Sequence, residues 1–167
     1  MESIAQEGNT RVGSFFDRFD GASLLLRVMI GVVFIAHGAQ KLFGVFGGGG
    51  LDATAKAMAG IGLRPGMFFA VLGGLAEFGG GLLLLLGLLT PLAGLIITGD
   101  MVIAIVVSSG QDGFIAPRGI GYEYNLVLIA IALALVIAGP GRLSLDRQLG
   151  LHQAIADRVR RVRTQHH

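Results

Sequence analysis

The chain has 167 residues, 53% of them hydrophobic and only 14% charged, with a formal net charge of +2 and a mean hydropathy of +0.71. That balance lies outside the soluble globular range, and at roughly 20 apolar residues per spanning helix it leaves room for four spans and short tails but no separate soluble domain. The absence of cysteine excludes disulfides, thiolate metal sites and a thiol relay within this chain, while the small excess of Arg near the C-terminus suits an anionic membrane surface better than nucleic acid.

Residues 1–21 are polar and mixed in charge. The apolar run 22–43 is long for the core of a signal peptide and carries Arg27, His37 and Lys41, so it reads as a retained spanning helix. A glycine-rich stretch follows. It lacks the Gly-Lys-Ser/Thr ending of a phosphate loop and follows a helix instead of a strand, which makes it a hinge. Leu51, Thr54, Met58 and Ile61 recur at helical spacing before the breaker Arg64-Pro65-Gly66, predicting a short helix at the membrane surface that caps the bundle.

The second span is predicted over 67–88, and Thr90-Pro91 turns the chain into a third that continues to about 107, so these two form a hairpin. A polar loop, 108–121, leads to a fourth apolar run, 122–138, ended by Gly139-Pro140-Gly141. The organisation is thus an N-terminal segment 1–21, a membrane domain 22–146 and a basic tail 147–167. In the tail Leu151, Ile155, Val159 and Val162 share a helical face opposite Arg158, Arg160, Arg161 and Arg163, the pattern of a helix on an anionic leaflet; a disordered tail is the alternative. His152, His166 and His167 have no useful ligand spacing. Arg11, Arg18, Arg142, Arg147 and the tail arginines fall on one side, against Lys56, Arg64 and Arg118 on the other. Positive-inside bias places both termini in the cytoplasm. The predicted fold is all-α, an integral membrane four-helix bundle.

Six ionisable residues fall inside the predicted spans: Arg27, His37, Lys41, Glu77, Asp100 and Glu123. Each costs roughly 2.5–3.5 kcal/mol at the bilayer centre, so these side chains should face the bundle interior, pair or stay neutral. At about 100° per residue, Arg27, His37 and Lys41 occupy one helical face about 80° wide. Lys41 lies near the outer surface on this reading, where Glu123 begins the fourth span, so an ion pair between them is expected. Glu77 and Asp100 each lie about ten residues into their helices, roughly 15 Å, which brings both near the midplane of the hairpin with His37 or Arg27 as expected partners. Gly73, Gly74, Gly80 and Gly81 surround Glu77. They point either to close packing about one satisfied carboxyl or to a narrow polar pocket for a flat ligand. A single intramembrane His offers one axial ligand, which argues against haem. No nucleophile, base and orienting acid can be grouped, and no metal site or built-in cofactor is evident.

The stretches LLLRVMIGVVFIAHGAQKLFG, EFGGGLLLLLGLLTPLAG, Met101 to Ala104 and GPGRLSLD together resemble the DoxX family of small four-span membrane proteins, over residues 22–146. The family pattern falls on Arg27, Gly31, Gly38, Lys41, Glu77, Gly79, Gly80, Gly87, Gly139 to Arg142 and Ser144 to Asp146. The resemblance implies a bacterial inner-membrane protein in redox-linked work: relatives include subunits of thiosulfate:quinone oxidoreductase and proteins that tether thiol-stress and superoxide-detoxifying enzymes. Without cysteine, any thiol or sulfane-sulfur step belongs to a redox partner, leaving quinone contact or scaffolding to this chain. The candidate quinone or ligand residues are Arg27, His37, Lys41, Glu77 and Asp100. A non-enzymatic adapter, docking partners through the basic tail and 51–61, is the second reading. A small transporter is the third, weakened by the absence of repeated halves.

Ala53→Cys and Gln111→Cys, introduced into this cysteine-free chain, are expected to react with a membrane-impermeant thiol reagent on intact cells. Labelling of Ala53→Cys only after membrane disruption would overturn the predicted orientation.

Overall fold

The computed structural model describes the backbone of residues 2–117, 119 and 121–150, and the side chains of these from 20 onward except 112. Helix α1 (Glu2–Phe43) is followed by α2 (Gly50–Gly60), α3 (Gly66–Leu86), α4 (Thr90–Val107), a 3₁₀ turn (Ser109–Asp112), α5 (Glu123–Ala138) and the short α6 (Leu145–Gln148). No strand occurs among the described residues, as the apolar periodicity predicts. The boundary expected at residue 22 is not a structural break, because α1 runs continuously from Glu2. Its N-terminal stretch holds no proline, and isolated glycines cost a helix only about 1 kcal/mol each. The basic face of the tail and Arg118 lie outside the described residues.

Three stretches, Asp20–Phe43, Gly66–Leu86 and Thr90–Val107, are long and apolar enough to cross a membrane. Helix α5 is apolar but has 16 residues, about 24 Å, against a hydrocarbon core of about 30 Å. The outer surface is apolar: Leu72, Leu95, Ile103 and Val127 are each more than half exposed and Ile137 is 87% exposed. Water would not tolerate so extensive a patch, whereas lipid does. Ile30, Phe34, Leu84, Ile97, Leu128 and Leu135 fill the interior between α1, α3, α4 and α5.

Glycine sets the packing of α1 on α3. A Cβ on Gly31 would lie 2.9 Å from the Gly81 carbonyl oxygen, one on Gly81 would lie 2.8 Å from the Ile35 nitrogen, and one on Gly38 would overlap the backbone of Phe78. Without side chains at these points the two backbones approach closely, the means by which helices associate in lipid, where the hydrophobic effect gives no drive. The contacts also fix an antiparallel register in which Gly31 lies against Gly81 and Leu85, Gly38 against Phe78, and Leu42 against Gly74. The last turn of α1 therefore ends level with the middle of α3. Helix α2 covers the first turns of α3, with Gly66 pressed on the Ala55 carbonyl.

At the opposite end, the segment after α5 ties the bundle together. The α3–α4 turn opens with Gly87 at φ +65°, whose N–H donates to the Leu84 carbonyl while that of Leu88 donates to Leu83. This is a Schellman ending that consumes two orphan carbonyls of α3. A Cβ on Gly87 would strike the Arg27 guanidinium and Ser144. Helix α4 then starts at Leu89 with no cap from its own sequence neighbours. Asp146 supplies it from across the turn, its carboxylate accepting from Leu89 N at 2.7 Å and Thr90 N at 2.9 Å, while its own N–H donates to the Gly87 carbonyl at 2.9 Å. Pro91 removes the next orphan donor. Arg27, 1% exposed, donates to the Leu143 carbonyl at 2.5 Å, Ser23 donates to Gly139 at 3.0 Å, and Asp20 accepts from Arg142 N at 2.9 Å. The stretch GPGRLSLD is thus a clasp joining α1, the α3–α4 turn and α5.

Asp146→Ala removes the acceptor for two helix-terminal N–H groups and is expected to destabilise the protein by about 2 kcal/mol, from the cost of stranding a buried amide. Thermal unfolding in detergent measures it, with Arg147→Ala, whose side chain is exposed, expected to be silent.

Candidate functional site

The register of α1 on α3 decides which charges meet. Lys41 reaches Glu77, its Nζ donating to Oε1 at 2.6 Å, with side-chain exposures of 29% and 4%. The pair expected between Lys41 and Glu123 does not form. That expectation placed Lys41 at the outer rim, but the glycine contacts hold the last turn of α1 level with the middle of α3, and Glu123 keeps one buried carboxylate oxygen without a partner.

Asp100, on α4, completes the cluster. Its carboxyl lies close enough to Glu77 and Lys41 for their charges to act on it. The hairpin therefore brings Glu77 and Asp100 together at one level, and the cation serving them is Lys41, where Arg27 or His37 was expected. The glycines beside Glu77 make this possible: Gly74 admits Leu42 of α1, Gly80 receives Ile97 of α4, and the open position at Gly73 lies beside Asp100. Glu77 Oε2 and Asp100 Oδ2 are buried and take no hydrogen bond from the protein. Unpaired buried oxygens in a low dielectric are costly, so the cluster retains acceptor capacity that a proton or a ligand donor would satisfy. Lys41 has three N–H donors and gives one to Glu77, leaving two.

Two cavities flank the cluster. The smaller, about 230 Å³, lies between α1, α3, α4 and α5 and is lined by His37, Glu77, Met101, Ser109, Tyr124 and Asn125. Its polar groups already bond one another: Ser109 donates to Asn125 Oδ1 at 3.0 Å, and Asn125 Nδ2 points at the Met101 sulfur at 3.3 Å. His37 Nδ1 lies 2.8 Å from the Val33 carbonyl. A carbonyl only accepts, so this nitrogen is the donor. The larger cavity, about 530 Å³, lies between α2, α3 and α4, with Lys41, Asp100 and Ser108 at its polar end and Phe69, Leu72 and Ile96 among its apolar walls.

Arg27 stands apart. It belongs to the clasp and lines neither cavity, ten residues or about 15 Å along α1 from His37. The site thus gathers Lys41, Glu77 and Asp100, with His37 at its edge. Asn125 and Ser109 were not singled out from sequence, and Met101 only as part of the stretch Met101 to Ala104; the one signal was an Asn in the first turn of a mostly apolar span. Among the described residues no three His, Asp or Glu side chains gather as a metal site.

Residues 22–110 match the family described as DoxX. An uncharacterized membrane protein of Mycobacterium tuberculosis is 34% identical over 137 residues, covering 75% of this chain and 80% of that protein. An Escherichia coli protein named as an inner membrane protein is 30% identical over 129 residues, 75% of this chain and 88% of its own length. A Bacillus subtilis protein provisionally named an oxidoreductase is 30% identical over 128 residues, 77% of this chain and 87% of its own length. No solved structure matches the chain at a significant level.

Lys41→Met is expected to lower stability by about 3 kcal/mol, because it strands a buried carboxylate, while Lys41→Met combined with Glu77→Leu recovers most of that loss. Thermal unfolding of the two variants in detergent checks this; a double variant as unstable as the single one would mean that Glu77 is not held by Lys41.

Proposed function

The chain belongs to the DoxX family of bacterial multi-pass membrane proteins, and on that premise we propose that it is the membrane subunit of a redox or oxidative-stress complex, passing a partner's electrons to quinone. One observation carries the reading: the Lys41–Glu77–Asp100 cluster sets Lys41, with two N–H donors unused, and Asp100 at the polar end of an apolar cavity within the usual size of ligand sites. A quinone carbonyl accepts hydrogen bonds, and the quinol hydroxyl formed from it donates them, so the cluster complements both states. Reduction takes two electrons from the partner's redox centre and two protons, adding one O–H at each ring oxygen. The chain has no cysteine, so a thiol or sulfane-sulfur donor is oxidised on the partner. The oxidoreductase name of the Bacillus subtilis relative favours the same reading.

In this proposal α5 is a fourth span, both termini are cytoplasmic, and the clasp faces the cytoplasm with α2 on the far side. Tail arginines then meet anionic lipid. A second reading, a non-enzymatic adapter, is favoured by α2, none of whose residues is buried and whose outer face is free to dock a soluble protein.

The wild-type protein, gently purified, is expected to retain quinone in a solvent extract and to bind an added short-chain quinone, followed through quenching of its two tyrosines in a chain without tryptophan. Glu77→Gln and Asp100→Asn are expected to weaken binding about tenfold, the worth of one charge-assisted hydrogen bond. Equal binding in all three proteins, or none in the wild type, would leave the adapter reading in front.

A further inference from the structure

Resting on the quinone reading, we propose that the ring enters from the lipid between α3 and α4 and lies in the larger cavity beneath α2. Its head carbonyl sits against Lys41 and Asp100, and the smaller cavity beside His37 holds no part of it.

Four observations separate the two cavities. The smaller, about 230 Å³, falls below the roughly 300–1,000 Å³ of ligand sites, whereas the larger, about 530 Å³, falls inside that range. In the smaller, Ser109, Asn125 and Met101 already bond one another and His37 Nδ1 bonds the Val33 carbonyl, while the unpaired Oε2 of Glu77 on its wall is a carboxylate acceptor of no use to a quinone carbonyl. A ligand at the Ser109–Asn125–Met101 end would have to break those bonds. The larger has the two remaining Lys41 donors at its polar end, so a ligand carbonyl gains hydrogen bonds there without displacing any. Last, Leu72, Leu95 and Ile103 on its walls are also more than half exposed on the lipid-facing surface, so the cavity is continuous with the bilayer.

Small residues make the room. Gly73, Ala76 and Gly99 line this cavity, a Cβ on Gly99 would have nothing within 4 Å, and one on Gly73 would sit 3.9 Å from Asp100 Oδ1. These differ from Gly31, Gly38 and Gly81, whose missing side chains are filled by a neighbouring backbone. At Gly73 and Gly99 the vacated volume is turned to the cavity. The apolar walls suit an isoprenoid tail leaving sideways between α3 and α4. Glu77 lines the smaller cavity and Asp100 the larger one, so the polar cavity lies behind the carboxyl pair, on the side away from the ring.

The test uses full-length protein in nanodiscs and a photoreactive short-chain quinone, with peptide mapping of the labelled sites and titration of binding. Crosslinks are expected on α2, α3 and α4. Gly99→Phe and Gly73→Leu, which fill the cavity without striking backbone, are expected to weaken binding at least about tenfold with thermal stability retained, while His37→Ala binds as the wild type does. Crosslinks on α1 and α5, with binding lost in His37→Ala and kept in both filled variants, would overturn this placement and leave the quinone reading standing. Wild-type binding that none of the three variants alters would overturn the placement as well. If the wild type binds no quinone and native mass spectrometry finds only a phospholipid or fatty acid, lost on filling the cavity, the quinone reading itself falls.

Discussion

In lipid, two helices gain nothing from hiding apolar side chains from each other, so α1 and α3 associate through surfaces stripped to glycine. Gly31 and Gly38 on one helix and Gly74 and Gly81 on the other are each spaced seven residues apart, two helical turns; in the antiparallel register Gly31 meets Gly81, Gly38 meets Phe78 and Gly74 meets Leu42. Dispersion contacts between backbones replace the hydrophobic effect as the cohesive term. Because a side chain at any of these points would collide, the helices have little freedom to slide. That fixed register carries the consequences seen elsewhere: Arg27 lies beside the α3–α4 turn, and Lys41 lies beside Glu77.

The two ends of the bundle then solve different problems with the same types of residue. At the clasp, Asp146 is buried and committed to backbone groups, capping the start of α4 that lipid could not satisfy, while Arg27 donates to the Leu143 carbonyl beside it. At the other end, Lys41, Glu77 and Asp100 are committed mainly to one another, and part of their hydrogen-bonding capacity remains open toward two cavities. Capping of a helix end marks Asp146 as structural. Open capacity beside an apolar cavity is what makes the second set the place for chemistry.

Much of this was legible in sequence. Apart from the start of α1, the helices could be bounded to within about two residues because glycine and proline punctuate apolar runs, and the rarity of charge within those runs pointed at Glu77, Asp100 and Lys41. The partner of Lys41 was not legible. Depth was counted from the start of each apolar run, on the assumption that every helix crosses at one level. Helix α1 instead starts in the polar segment and ends level with the middle of α3. The role of Arg27 was equally hidden, since its partner is a backbone carbonyl 116 residues away, and a carbonyl leaves no mark in composition. The residues of GPGRLSLD were readable as a motif, whereas the capping of α4 by Asp146 links positions 57 and 56 residues apart.

The sequence by itself determined that the chain is helical and membrane-embedded, where its helices stop, and which few polar groups lie among them, because these follow from local hydropathy, backbone propensity and the cost of charge in lipid. Which of those groups touch was decided only by the tertiary structure. Contact between helices depends on register, and register was set by steric fit among glycines whose one-dimensional pattern names the close surfaces but not how far one slides along the other.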